Sequence, residues 1–477
     1  MKKYFLFAAV AGMLASCSSE SLTGSDPNIE PTPQDDRVPI EISVASPEVK
    51  ATTRSVGTVG DVAGATNIWQ GEKVNVFMFT KALDGSSTLN LTEDEPGSGN
   101  YLYNNVALTT PNDGTSASGI ANELTAGDTR IVYKYYPASG NFDFWGYFAD
   151  DAATGAPARD VAAPNTTKIT VPFSIDGTQD LMVAKAKLTD AQNDNTNPTY
   201  AKWHAAGVDQ SRYYSAYAAR KNIQPDMTFK HLLTRLTFSV VGYDNAAIGW
   251  KESTPGAGDW DLPADGTVYT GVFVKSIKVK SKTTGEIIAA YTGADRTTSQ
   301  LISFDNTAGP NGDGYDMLSL QSARDAITGQ VSAVYDPNVF IDWTDNTVMT
   351  PLLTIDETPV TINTHWSDIM RPTSTTTANP IGGALLVSTE SAYDIEVELG
   401  QYLLVEEDYP TSTPPSNPDY KIVYSTITKT INPTAPDTFK QGYSYNVKMT
   451  LYGYEKIDIT TTLEPWGAGT EVEFTAD

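Results

Sequence analysis

The residue types able to do chemistry are sparse. His204, His231 and His365 are the histidines of a 477-residue chain, and none sits in a nucleophile or zinc-binding motif. The sequence holds no Gly-x-Ser-x-Gly, no Walker-type phosphate loop and no His-x3-His. His231 shares a strand face with Phe229 and Leu233, which predicts a hydrogen-bonded structural histidine. Acidic neighbours at Asp150-Asp151, Glu406-Glu407 and Glu93-Asp94-Glu95 are the residue types of a glycosidase. That chemistry needs two carboxyls held about 5 to 10 Å apart, whereas all three groups fall in turn-like contexts that predict solvated loops. Asp190, Asn193, Asp194 and Asn195, and again Asp305, Asn311 and Asp313, offer hard oxygens for Ca²⁺. Neither set has the spacing of a known calcium loop, and Asn and Asp favour turns for local reasons. The expectation is a protein with no catalytic residue, no cofactor and no metal.

Cys17 is the one cysteine. Lys2 and Lys3 precede an apolar run over 4–14, and Leu14-Ala15-Ser16-Cys17 has the lipobox pattern, in which a peptidase cuts before the cysteine and its thiol carries lipid. The sequence thus predicts an exported chain with a signal peptide over 1–16 and a lipidated Cys17. The apolar run falls far short of the roughly 20 residues that span a bilayer. With no second cysteine there is no internal disulfide, so burial and backbone pairing must stabilise the fold.

What would position these residues is mostly strand. Gly (36) and Pro (28) punctuate a chain rich in Thr, Val, Tyr and Ile, with charged residues at 19%, a composition that favours strands over helices. The net charge of −26 repels phosphate backbones, which argues against nucleic acid as a partner. After Cys17, residues 17–37 are Ser-, Pro- and Asp-rich and predict a flexible tether. Val38, Ile40, Ile42 and Val44 then alternate with Pro39, Glu41 and Ser43, the period-2 pattern of a half-buried strand, and Pro39 predicts a sheet edge. Further strands are expected over 73–79, with both faces buried, and over 130–136, 142–148, 168–173 and 180–184. Tyr213 and Tyr217 have helical spacing, which predicts a short surface helix from about Asp209. Past a polar stretch, long strands recur to the end, clearest over 393–399 and 443–451, and Ile457, Ile459, Thr461 and Leu463 repeat the alternation. The expected fold is all-β, with tandem antiparallel β-sandwich domains over 38–226 and 227–477.

Four segments follow one another along the chain: the lipobox at 14–17; the first strand and arginine loop, 38–54; Phe-x-His-Leu-Leu-Thr-Arg-Leu at 229–236; and Gly-Tyr-Ser-Tyr-Asn-Val-Lys-Met-Thr-Leu-Tyr-Gly at 442–453 followed by Leu-Glu-Pro-Trp at 463–466. In this order they resemble the fimbrillin family, the type V pilins of Bacteroidales. The resemblance implies two transthyretin-like sandwiches and an outer-membrane lipoprotein precursor destined for a cell-surface fimbria. It also implies an arginine-specific protease that removes the lipidated N-terminus with the first strand, leaving a groove for a strand from a neighbouring subunit. Here the cut would follow Arg54, with Arg37 a competing site that would leave the strand in place. The released strand carries Val38, Ile40, Ile42 and Val44, and the donated one is expected within 457–474, through Ile457, Ile459 and Leu463. The implied partners are other fimbrial subunits, the outer-membrane lipid held through Cys17 before processing, and host or bacterial glycans or proteins. The alternative is a surface glycan-binding lipoprotein that stays anchored, with Trp203, Tyr213, Tyr214 or Tyr217 stacking on sugar.

Overall fold

The structure, a computed structural model, describes residues 37–45, 69, 71–80, 90–91, 103–112, 118–125, 130–162, 165–194, 196–200, 214–244, 247, 272–292, 296–320, 372, 374–404, 420–433, 438–453 and 456–464. From Val38 onward the chain forms one compact unit. The described residues are nearly all β and build five sheets. The first orders β10 (Asp226–Thr228), β1 (Ile42–Ala45) and β5 (Ser118–Ala121). The second orders β11 (Lys230–His231), β9 (Met182–Lys185), β6 (Phe142–Phe148), β2 (Lys73–Thr80) and β3 (Asn90–Leu91), with β4 (Val106–Thr109) also on β2. The third orders β15 (Ile302–Phe304), β14 (Thr284–Tyr291), β8 (Asn165–Ser174) and β7 (Ala158–Ala162). The fourth orders β17 (Asn379–Val387), β12 (Thr234–Gly242), β20 (Ser444–Gly453) and β21 (Lys456–Glu464). The fifth orders β16 (Tyr315–Ser319), β13 (Val272–Lys282), β18 (Tyr393–Leu404) and β19 (Tyr420–Ile431). Pairing is antiparallel except for β1 with β10 and β12 with β20.

The second sheet is buried on both faces, which explains why its strands read as continuous apolar runs. Every residue of β6, Phe-Asp-Phe-Trp-Gly-Tyr-Phe, is buried. Phe142, Phe144 and Phe148, with Val74, Val76 and Met78 of β2, enter a first core shared with Ile42 and Val44 of the first sheet. Trp145 and Tyr147, with Phe77 and Phe79, enter a second core against Ile169, Val171, Ile287 and Ala289 of the third sheet. A third core lies between the fourth and fifth sheets, where Phe238, Val447 and Met449 meet Ile277, Ile395 and Val397.

One segment threads all three cores. Residues 226–242 supply β10 to the first sheet, β11 to the second and β12 to the fourth. Phe229 enters the first core, Leu232 and Leu233 the second, and Leu236 the third. Sheet pairing also crosses the expected 226/227 line, because β14 lies antiparallel on β8.

Three expectations need correction. The first strand, β1, is not an edge; it lies between β10 and β5. Residues 130–136 form no regular strand, only isolated bridges at Ile131 and Tyr135. Tyr214 is not a surface aromatic: it is fully buried and stands edge-on to Phe144 at 5.6 Å. The helix described in that region is a single turn, Ala216–Ala219, and residue 209 lies outside the described residues.

Candidate functional site

The candidate site is the slot that holds residues 38–45. On one side, the Ile40 amide donates to the Lys134 carbonyl at 2.8 Å and the Tyr136 amide to the Val38 carbonyl at 2.9 Å. The same side continues with Ile42 opposite Ala121 and Val44 opposite Gly119 on β5. On the other side, Ser43, Val44 and Ala45 pair in parallel with Asp226, Met227 and Thr228. Ile40, Ile42 and Val44 point inward and are buried, and Val38 packs partly against the same core. They share this core with Trp69, Phe144, Tyr214, Met227 and Phe229.

Why this floor forms is legible locally. Ser215 accepts the Ala218 amide at 3.1 Å and starts the one-turn helix. Asn222, at φ +62°, takes the left-handed position that ends it. The Ile223 amide returns to the Ala218 carbonyl at 3.1 Å and the Asn222 amide to Ala219 at 2.9 Å, the bond pattern of a Schellman cap with a buried apolar residue after it. The chain is thereby aimed into Gln224, Pro225 and β10. Gly146 of β6 leaves the room β10 needs: a Cβ there would lie 2.4 Å from the Met227 Cε and 3.1 Å from the Phe229 ring.

Pro39 sits where its missing N–H costs nothing. Its backbone edge faces past the end of β10 and meets the side chain of Gln224 instead of a strand: Nε2 donates to the Pro39 carbonyl at 3.1 Å, and Oε1 accepts the Glu41 amide at 3.4 Å. The Tyr136 hydroxyl also donates to Oε1, at 3.2 Å. Burial pushes the Tyr136 hydroxyl well above the usual phenol range, so it stays a donor.

The surface beside the slot is apolar. Of the seven large apolar side chains exposed among the described residues, four, Ile120, Leu124, Ile131 and Tyr133, lie on the segments 118–125 and 130–136 that run beside residues 38–45. Lys134 and Glu123 pair at 3.2 Å between them.

The C-terminal candidates are placed differently. Ile457 is buried in the third core and Ile459 packs partly against it, while Leu463 stands opposite Tyr445 in the ladder of β21 on β20. Their strand therefore completes its own chain's sheet from the edge. Cys17, Arg54, Trp203, Tyr213, His204, His365 and the acidic groups at 93–95 and 406–407 lie outside the described residues.

Several of the remaining candidates have structural partners. His231 Nδ1 stands 2.6 Å from the Asp180 carboxylate, both fully buried, a pair that ties β11 to the chain just before β9. Asp305 accepts the Thr307 amide at 2.8 Å and Asp313 the Tyr315 amide at 3.1 Å, with Lys280 3.4 Å from Asp313, so these oxygens close turns. Burial, and then the charges of Asp151, Asp180 and Glu72, raise the Asp150 carboxyl to about 6. No group of three or more His, Cys, Asp or Glu among the described residues is arranged to hold a metal ion. No helix among them is long and apolar enough to cross a membrane.

No protein-family model matches the chain, and no curated protein matches it in sequence. Solved structures do resemble it. One is a protein from Bacteroides uniformis named for a proposed role in cell adhesion, 12% identical, with 91% of this chain and 100% of that one covered and a TM-score of 0.38. Two come from Porphyromonas gingivalis. The fimbrial anchor protein Mfa2 is 11% identical over 90% of this chain and 98% of its own, with a TM-score of 0.28. The tip fimbrial protein Mfa3, truncated at its C-terminus, is 8% identical over 90% of this chain and 100% of its own, with a TM-score of 0.29.

Proposed function

We propose that this chain is a cell-surface fimbrial subunit that assembles by strand exchange: proteolysis at Arg54 releases the lipidated segment with β1, and a strand from another subunit fills the slot. The observation that carries this reading is the placement of residues 38–45. They run without a break between 134–136 and β5 on one side and Gln224 and β10 on the other, and their buried face is made of Ile40, Ile42 and Val44. Burying three such side chains contributes about 5 to 9 kcal/mol, comparable with the stability of a whole domain. A slot emptied of them exposes apolar surface and two unpaired strand edges, which another chain can satisfy. The apolar flank at Ile120, Leu124, Ile131 and Tyr133 suits contact with a neighbouring subunit.

The sequence resemblance to fimbrillins, the lipobox ending at Cys17 and the arginine beyond the first strand all agree with this scheme. Before processing, the partner is the outer-membrane lipid; afterwards it is another fimbrial subunit. No catalytic step is assigned to any residue, and no cofactor is needed. The domain division at 226/227 belongs to the same proposal. The donor is proposed within 457–474, and because 456–464 is already paired with β20, donation by those residues would require them to leave that ladder.

The test is conversion of purified full-length protein by an arginine-specific protease. Wild type is expected to yield polymers stable in cold detergent, seen by electron microscopy, and Arg54→Ala to yield none. Polymers formed equally by Arg54→Ala would overturn the release step.

A further inference from the structure

In a parallel ladder, one residue of a strand donates its N–H to a carbonyl and accepts an N–H two residues further along on its neighbour. Within β10 the pattern holds: the Ser43 amide donates to the Pro225 carbonyl at 2.9 Å, and the Phe229 amide to the Ala45 carbonyl at 3.0 Å. Toward its start the ladder fails, because Pro225 has no N–H and the chain before it turns away into the Asn222 cap. The Gln224 carboxamide takes over there. Its Nε2 donates to Pro39 and its Oε1 accepts from Glu41, two residues apart, as the backbone amide of one further ladder residue would.

We infer that Gln224 is a backbone-reading residue of the slot: it binds any extended strand seated there through one carbonyl and one amide two positions on. This rests on the slot being exchangeable, as proposed above. The ligand class is an extended peptide segment. Its inward residues at the places of 40, 42 and 44 are aliphatic, and proline is tolerated at the place of 39, where the strand's own N–H is not used. Tyr136 positions the carboxamide by donating to the same Oε1. Reading through the main chain lets one slot accept different donor sequences, while register is set by the inward aliphatic residues, since a strand shifted by one residue would turn its apolar side chains out.

The test uses the full chain with a single engineered protease site replacing residues 52–56, cut after folding so that the lid remains seated. Release of the lid is followed by mass spectrometry in excess isotope-labelled synthetic peptide of residues 36–47. Gln224→Ala is expected to speed release about tenfold, the effect of two lost hydrogen bonds. Gln224→Glu, which keeps the shape and the acceptor but loses the donor to Pro39, is expected to fall between. A second peptide replaces the Glu41 amide with an ester, removing that N–H alone. It should bind more weakly than the parent to the wild-type chain and about equally to Gln224→Ala. If the wild-type slot never exchanges its lid, the strand-exchange reading fails. If it exchanges but Gln224→Ala releases the lid at the wild-type rate, or the ester effect is the same in both chains, the role of Gln224 is refuted.

Discussion

Val44 stands directly opposite Met227 in a parallel ladder, and both side chains are fully buried in one core. These residues come from distant parts of the chain, so a cut after Arg54 would leave β10, the element the first strand lies against, intact. The first strand's contribution to stability is nevertheless large. Ile42→Ala should lower the unfolding free energy of the full chain by about 2 to 4 kcal/mol, read by urea titration.

Gly146 couples the central strand to the slot. Gly146→Ala would drive a methyl group toward the Met227 Cε and the Phe229 ring. A loss of about 1 to 3 kcal/mol is expected, because overpacking here strains β10. Hydrogen exchange should show faster exchange at Ser43, whose amide bonds to Pro225, than at the amides of β20 in the separate third core.

The buried pair of Asp180 and His231 joins the segment that threads the three cores to the chain before β9. Asp180→Ala removes this buried polar contact and should cost about 1 to 3 kcal/mol in thermal or chemical unfolding. An unchanged midpoint would mean the pair contributes nothing net.

The Asp150 carboxyl is raised to about 6 by burial and then by Asp151, Asp180 and Glu72, against an unfolded value of 3.8. The folded state thus binds this proton more readily than the unfolded chain. The contribution is fully present below pH 4 and is lost as pH rises through about 6. Asp150→Asn should therefore stabilise the protein at pH 7 by about 1 kcal/mol, a figure reduced for the partial exposure of the group. The gain should vanish in the same urea titration at pH 4. Asparagine also tolerates the φ of +48° found there.

Much of this architecture is legible in the sequence, and the parts that are not share a cause. Strands with one solvated face, such as β18 and β20, declare themselves by alternation, and the apolar runs of β2 and β6 announce burial on both faces. The sequence over 229–241 reads as strand with Leu232, Leu236, Phe238 and Val240 on one face, yet residues 226–242 serve three sheets, because each short piece is claimed by a different distant partner. The pairing of β14 with β8 is likewise nonlocal and leaves no local mark. Pro39 points to an edge, and it does lack a backbone neighbour on one side; the Gln224 side chain fills that place from 185 positions away. Tyr214 looks like its neighbours in a tyrosine-rich stretch, and only the fold sends it inward. The slot's inward residues Ile40, Ile42 and Val44 were legible, whereas its walls, β5 and β10, were not.

The most direct test of the account is the N-terminal sequence of subunits taken from surface-assembled polymer. A start at Ser55 is predicted, with the lid and lipid gone. A start at Cys17, or at Val38 after cleavage at Arg37, would leave the strand in its slot and contradict the account.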